Sequence, residues 1–471
     1  MRLVTSRDAL LGCGAAEGMQ FVDMTPVKLK TQIVVVGGGA GGLELVAKLG
    51  RALGKVDFDI ILVDRQQTHI WKPLLHEVAA GSLDANLDEV GYRGHAHRWN
   101  YRFFDGTLEE VDRTARQVII APIVEDGREI VARHRIRYDY LVLAVGSVSN
   151  DFGTPGVREH CIFLDERGEA DRFRRRLLNQ CLRVSRAVQA ALAANPADPA
   201  PAADAVVDVV IVGGGATGVE LAAELHMSAD SLAMYGLEVF DAKRLRTVLV
   251  EAGPRILPAL PEKLAAAART ELEAIGVRVF TDEMVTAATE HGIMTKRGDI
   301  IAADLMVWAA GIKGAPFMAD IGGLETTRSN QIVVGPTLQT SRDARIFAIG
   351  DCASYVPPGA ERPVPPRAQT AHQMADIAYR NIRAMIDERP LKPFMYRDHG
   401  SLVSLARFAT VGSLMGNLVG GKMAVEGRLA RFVYMSLYRM HLIAIHGWWK
   451  GVSLIVVGHV NAIVRPKLKL H

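Results

Sequence analysis

Short runs of β-branched and other apolar residues recur along the chain, and each stops at a glycine or an acid. The run from Ile33 to Val36 stops at Gly37, and the run ending at Val63 stops at Asp64. A second such pair lies mid-chain: Val206 to Val212 before Gly213, and Leu245 to Val250 before Glu251. Continuous apolar runs of strand length read as strands buried on both faces, the habit of parallel sheets. After Gly37 and after Gly213 the period changes. Apolar residues in GLELVAKLG and GVELAAEL fall at helical spacing. The chain therefore reads as α/β, with two strand–glycine–helix–strand units.

Three further segments follow from the same pattern. YDYLVLAVGS reads as a strand ending in a turn at Gly146, and ARIFAIGDCASY as a strand ending at Gly350-Asp351. PPRAQTAHQMADIAYR reads as a helix entered through prolines, with Gln369 and Gln373 four apart on one face. From Arg428 onward, Leu429, Phe432, Val433, Leu437 and Met440 fall at helical spacing, with Arg431 and Arg439 elsewhere around the wheel.

Composition is globular, with 49% hydrophobic and 23% charged residues in 471. That length suggests about three domains. A net charge of +3 is too small to argue for nucleic acid. It is unevenly spread: residues 422–471 hold eight Lys/Arg against one acid, +7, leaving 3 − 7 = −4 elsewhere. The four cysteines, Cys13, Cys161, Cys181 and Cys352, are widely spaced, without a C-x-x-C pair. This spacing argues against a disulfide framework or a zinc site and fits a reducing compartment. Residues 1–29 lack an apolar run of signal-peptide length and read as a disordered leader.

Gly37, Gly39 and Gly42 spell G-x-G-x-x-G, and Gly213, Gly215 and Gly218 spell it again. Alone the pattern is weak; between a buried strand and a helix, with an acid closing the next strand, it marks a dinucleotide site. The first glycine makes the turn, the second lets backbone approach a pyrophosphate, and the third lets helix pack on strand. The helix N-terminus favours the phosphate charge. Asp64 and Glu251 are placed to accept bonds from ribose hydroxyls. A carboxylate at Glu251 repels a 2′-phosphate, which favours NADH over NADPH; Arg255 is the residue that would weaken this. Two such sites imply two dinucleotides exchanging electrons, FAD held throughout and NADH visiting. The segments ending at Gly146 and Asp351 resemble those that close the FAD domain of two-dinucleotide flavoproteins, Asp351 reaching the flavin side chain or its phosphates.

The region after Asp64, DRQQTHIWKPLLHEVAAGSLD, has no cysteine, so no dithiol there relays electrons. LVDRQQTHIWKPLLHEVAAGSL, VWAAGIKG, RAQTAHQ and HGSLVSLARFATVGSLMGNL resemble the type II NADH:quinone oxidoreductases over residues 30–471. The resemblance implies two Rossmann-like domains, with Gly311 among the cofactor-binding glycines. It implies that the A-Q-x-A-x-Q helix, matched by Ala368, Gln369, Ala371 and Gln373, lines a quinone pocket beside the flavin. It implies that Glu220 lies near nicotinamide and flavin, and that the enzyme works at the cytoplasmic face of a bacterial plasma membrane. Neutral amides suit a quinone, whose two carbonyls bear no charge. Other candidates fit bland roles: Lys72 a loop charge or flavin neighbour, His76 and Glu77 a helix surface with proton delivery as the alternative, His95 and His97 an H-x-H pair without further ligands, Cys352 a small buried residue.

The expected division is a FAD-binding part over 30–159 and 326–390, an NADH-binding domain over 160–325, and a membrane-association region over 391–471. AANPADPAPAADA reads as a loop before the second fingerprint strand. The tail's apolar run is interrupted by His441, His446, Lys450, His459 and Asn461, too often for a span. It reads as interfacial helices, Trp448 and Trp449 at headgroup level and Lys/Arg on anionic lipid, or as an amphipathic helix packed on its own protein or on a second subunit; both hold together in a homodimer. Without a spanning helix there is no evident path for proton pumping. The competing readings are a soluble FAD-dependent NADH oxidoreductase with a diffusible or protein acceptor, and an NADH-sensing protein without turnover.

Overall fold

The computed structural model describes residues 30–54, 57–194, 205–232, 240, 242–398, 400–405, 409–415, 422–426 and 438–464. The leader, the loop at 195–204, Cys13 and the tail positions Leu429, Phe432, Val433 and Leu437 lie outside these residues.

The apolar runs form the centres of two sheets. The first has six strands, in the order Gln339–Thr340, Asp343–Ala348, Tyr140–Leu143, Thr31–Val36, Phe58–Asp64, Arg102–Asp105. All run parallel except the edge strand Gln339–Thr340. Val34 lies between Leu141 and Ile61, so the fingerprint strand has neighbours on both sides, and it is buried and apolar from Ile33 to Val36. The second sheet has five parallel strands, in the order Ile162–Phe163, Leu305–Trp308, Val207–Val212, Leu245–Val250, Arg278–Phe280. Each fingerprint strand sits inside its sheet, beside the strand that carries its acid. Its glycine loop therefore opens at the carboxyl edge, where open α/β sheets bind ligands.

Two crossings join the units. Val148–Ser149 pairs antiparallel with Ile312–Lys313, and Asp151 accepts from Lys313 Nζ at 2.8 Å and pairs with Arg158. The chain returns to the first unit early. Met318, Ile321 and Leu324 pack in the first core, against Val111, although residues up to 325 were expected in the second domain. Val111 belongs to Leu108–Asp112, an edge strand of a separate three-stranded antiparallel sheet that shares the first core.

The 391–471 region is more than a helical tail. Gly400–Leu405, Ala409–Met415 and Lys422–Glu426 form a three-stranded antiparallel sheet. A helix over 438–446 follows, then Trp448–Val464, turned at Gly447, which has φ +80°. The first of these helices docks on the first unit through Leu442 and the fully buried Ile445. His95 Nε2 meets the Ile445 carbonyl at 2.9 Å, and His69 Nε2 meets His441 Nε2 at 2.9 Å. The second helix exposes Trp448, Trp449, Val456 and Val457. Among the described residues no helix is long and apolar enough to cross a membrane.

Candidate functional site

The glycines of each fingerprint divide by what surrounds them. Gly37 and Gly213 turn with φ of +103° and +114°, which side chains rarely adopt. A Cβ at Gly42 would lie 1.9 Å from the Gly37 carbonyl oxygen, and one at Gly218 would lie 2.0 Å from that of Gly213. These four positions serve the backbone. At Gly39 and Gly215 a Cβ would meet nothing within 4 Å. The open space lies where a pyrophosphate approaches, so the two cradles fit dinucleotides on geometry and not only on spacing.

The acids brace the loops from the neighbouring strand. Asp64 accepts from Gly38 N at 2.5 Å and from Gln66 N at 2.8 Å, and burial pushes its carboxyl above the usual range. Tyr92 OH donates to the Gly38 carbonyl at 2.8 Å, a buttress that no motif announced. Glu251 accepts from Gly214 N at 2.6 Å and Gly253 N at 2.7 Å. Arg255 donates to the carbonyls of Leu260 and Pro258, at 2.9 and 3.2 Å, and so is engaged away from Glu251.

Around the first cradle, Gly146 has φ +73° with open space at its Cβ position. Ser147 Oγ donates to Asp351 Oδ2 at 2.9 Å, and Lys72 Nζ donates to the Ser147 carbonyl at 3.0 Å. Burial holds the Asp351 carboxyl above its usual range, although Ser147 and Lys72 oppose this. Among the described residues no other side chain or backbone donor bonds that carboxylate, so it retains acceptor capacity for hydroxyl groups of a ligand. Cys352 is fully buried and its thiol is pushed up to about 11 by burial, which leaves it inert at neutral pH.

The two units meet at Glu220. It is buried on the helix Ala216–Leu232, with Oε2 3.6 Å from His76 Nδ1 of the helix Leu75–Ala80. His76 is not a surface residue: it is almost wholly buried, and burial pushes it down to about 4. The contact is thus a neutral imidazole beside a carboxyl. Gly311 lies at the same seam with φ +65°; a Cβ there would come within 2.5 Å of the Phe152 ring.

The helix Ala368–Ile386 packs its first turn on the first fingerprint helix, Ala40–Leu53, where Ala371 faces Gly41. Its small residues bring it close to the cradle, and Ala368 opens it. The glutamines are not bare. Gln373 donates to the Arg397 carbonyl at 2.8 Å and accepts from Arg397 N at 2.9 Å. Gln369 Nε2 donates to Asp398 Oδ1 at 3.3 Å, and Arg367 joins the same carboxylate. Both amides hold the 397–398 segment, and Gln373 does so with one of its two N–H groups. Between them is His372, which sequence reasoning passed over. It pairs with Glu44 and stacks on Trp71, ring centroids 5.7 Å apart. His95 is absorbed structurally, bonding Tyr101 OH at 2.8 Å and the Ile445 carbonyl.

Known proteins share this fold. The family model for the pyridine nucleotide-disulphide oxidoreductases matches residues 31–375. A type II NADH:quinone oxidoreductase of Haemophilus influenzae is 45% identical over 443 residues, covering 93% of this chain and 99% of that one. One from Staphylococcus aureus is 28% identical over 401 residues, 84% of this chain and 92% of that one. Among solved structures, NDH2 from Plasmodium falciparum in complex with NADH superposes with a TM-score of 0.76 at 17% identity, covering 93% of this chain and 100% of that one. The sulfide:quinone oxidoreductase of Aquifex aeolicus does so with 0.67 at 18% identity, covering 92% and 95%. With its two cradles facing one seam, and with that identity sustained over nearly the full length of a curated relative, the chain belongs to the type II NADH:quinone oxidoreductases, within the pyridine nucleotide-disulphide oxidoreductase family.

Proposed function

We propose that the first cradle holds FAD, that the second receives NADH, and that electrons leave to a membrane quinone bound at the start of the helix Ala368–Ile386. The observation that carries the reading is the pair of cradles meeting across Glu220 and His76, with no cysteine pair between them. A flavin there supplies two-electron chemistry: it takes a hydride from NADH and returns electrons to an acceptor.

The chain's own residues bind and orient. Gly37, Gly39, Gly42, Asp64, Gly146 and Asp351 hold the flavin nucleotide. Gly213, Gly215, Gly218, Glu251 and Gly311 hold NADH, and Glu220 lines the seam where nicotinamide and flavin meet. Gln373, steadied by its bonds to Arg397, directs its second amide N–H to one quinone carbonyl, and Gln369 exchanges a bond of the resting protein for one to the other carbonyl. The exposed face of Trp448–Val464, with Lys450, rests on an anionic lipid surface, which puts the enzyme on the membrane peripherally, at the cytoplasmic face. A second copy meeting the same face is the competing arrangement. The reaction requires no charge to cross the bilayer.

Steady-state oxidation of NADH with and without a short-chain quinone tests this. Quinone-dependent NADH oxidation is expected; NADH oxidation that ignores quinone but responds to ferredoxin refutes it.

A further inference from the structure

Reduction of a quinone by NADH consumes one proton from solvent for each pair of electrons, because the hydride brings only the other. A quinone seated on the part-exposed side chains Gln369, His372 and Gln373 covers them from water, and the proton then needs another route. Helices of the Ala40–Leu53 kind fill their core side with apolar residues, and Leu43, Leu45 and Val46 comply. Glu44 does not: it is 4% exposed. A carboxylate so placed is costly unless paired. Its Oε1 takes Lys48 Nζ at 2.5 Å, and its Oε2 pairs with His372 Nδ1. Lys48 pairs in turn with Asp376, whose side chain is 48% exposed. The result is an unbroken chain of hydrogen-bonding groups from Asp376 to His372, whose own side chain is 24% exposed. Asp376 and His372 are four apart on one helix, yet they are joined through the other.

We propose that Asp376, Lys48 and Glu44 form a relay that carries solvent protons to His372, and that His372 gives them to the quinone held beside Gln369 and Gln373. This rests on the quinone location proposed above. His372 lies between the two glutamines in sequence and within about 100° of each around the helix. Its ring is walled by Trp71 at 5.7 Å and His441 at 5.3 Å. The proton leaves a ring nitrogen for a quinone oxygen as the electron pair arrives from the flavin. The emptied nitrogen turns to Glu44 and is refilled from Lys48, which Asp376 recharges from water. Net, one solvent proton becomes one quinol hydroxyl hydrogen, and the other comes from NADH.

The charges agree. Glu44 and Asp376 carry −2 and Lys48 +1, so a proton on His372 closes the cluster to zero. Burial alone would raise the Glu44 carboxyl, but His372 and then Lys48 hold it below the usual range. Burial would lower Lys48, but Glu44 and Asp376 hold it above. The other groups facing His372 do not compete. Burial pushes His69 down to about 4 and His441 well below the ordinary value, so both stay neutral.

The test compares Glu44→Gln, His372→Gln and Asp376→Asn with the parent holoenzyme. Two readouts are needed: anaerobic stopped-flow reoxidation after NADH reduction, and equilibrium dialysis of a benzoquinone with one isoprene tail against oxidised enzyme. General acid transfer is worth about 10²- to 10⁴-fold, so reoxidation by that quinone should slow roughly 10²-fold in the first two variants. Asp376→Asn should slow it several-fold, and increasingly so as the pH rises. Ferricyanide, which takes electrons without protons, should reoxidise all four proteins equally, and quinone binding should be unchanged. Normal quinone reoxidation with binding intact overturns the relay. Equal slowing with ferricyanide also overturns it, because the variants would then disturb the flavin site. Should Glu44→Gln fail to fold, Asp376→Asn, half-exposed, decides. Gln369→Ala serves as the control for the location: unaltered quinone binding in that variant refutes the location and not the relay.

Discussion

Replacing Glu251 by Gln separates the two tasks of that side chain. In the parent, a 2′-phosphate of about −1.5 to −2 would face the carboxylate. At about 4 Å a pair of unit charges repels by about 1 kcal/mol in water and about 4 at an effective dielectric of 20. The Glu251 site is only partly buried, so about 2–4 kcal/mol in total is reasonable, or ~30- to ~900-fold in kcat/KM favouring NADH. The structure adds a second effect. Both carboxylate oxygens accept backbone bonds, from Gly214 N at 2.6 Å and Gly253 N at 2.7 Å. An amide has one acceptor oxygen and one NH2, so one of those N–H groups must face a donor. The loss of that bond costs about 1–3 kcal/mol. NADH turnover should therefore fall ~5- to ~150-fold, while the preference over NADPH shrinks to within about tenfold. The assay is initial-rate kinetics with both nucleotides at fixed quinone, repeated at raised ionic strength, which should narrow the parent's preference only slightly. Equal kcat/KM for both nucleotides in the parent, or an unchanged preference in Glu251→Gln, refutes the assignment.

Other expectations follow from the same geometry. Gln369→Ala and Gln373→Ala should each lower kcat/KM for quinone by roughly 2- to 150-fold, from the loss of one hydrogen bond and an unpaired polar group. Flavin reduction by NADH in stopped flow should stay normal. Gln373→Ala should also lose about 1–2 kcal/mol of stability in urea unfolding, because its two bonds to Arg397 go. Trp448→Ser with Trp449→Ser should shift the enzyme from pelleted lipid vesicles to the supernatant, weakening binding by roughly 1–3 kcal/mol without lowering Tm, because both rings are exposed. High salt should release the parent only in part; complete release rejects an apolar anchor. Asp151→Asn should destabilise the strap between the units. Lys313 and then Arg158, against burial, hold the Asp151 carboxyl down to about 2. Its contribution, at most about 2.5 kcal/mol, is full at neutral pH, fades as pH falls below about 4, and is gone below about 2. Chemical denaturation of both proteins across acid pH checks this.

What the sequence made legible was whatever repeats a local rule. The fingerprints carry their own proof in the change of period from strand to helix, and Asp64 and Glu251 lie where a short strand must end. Contacts between distant segments left no such mark. Gln369 and Gln373 were readable as a pair on one face, but their bonds to 397–398 join residues more than twenty positions apart. His76 lies three residues after a proline and precedes an acid, a surface-like setting, and the packing of the helices Arg167–Ala194 and Ala216–Leu232 against its own helix makes it buried. Glu44 and Lys48 form an i,i+4 pair that spells a solvated face; Glu44 is buried because the helix Ala368–Ile386 lies over it. The pattern of the tail left lipid and protein both open as the cover of its apolar face; the structure buries Leu442 and Ile445 of the helix at 438–446 in the protein and leaves the next helix exposed.

The most direct test is an anaerobic double-mixing experiment on the purified enzyme. One equivalent of NADH is mixed first and the loss of flavin absorbance followed; a short-chain quinone is mixed second. The account predicts bleaching by NADH, full return of the oxidised flavin spectrum on adding quinone, and one quinol formed for each NADH consumed. Flavin that NADH reduces but quinone fails to reoxidise, while a protein acceptor such as ferredoxin does so rapidly, contradicts it.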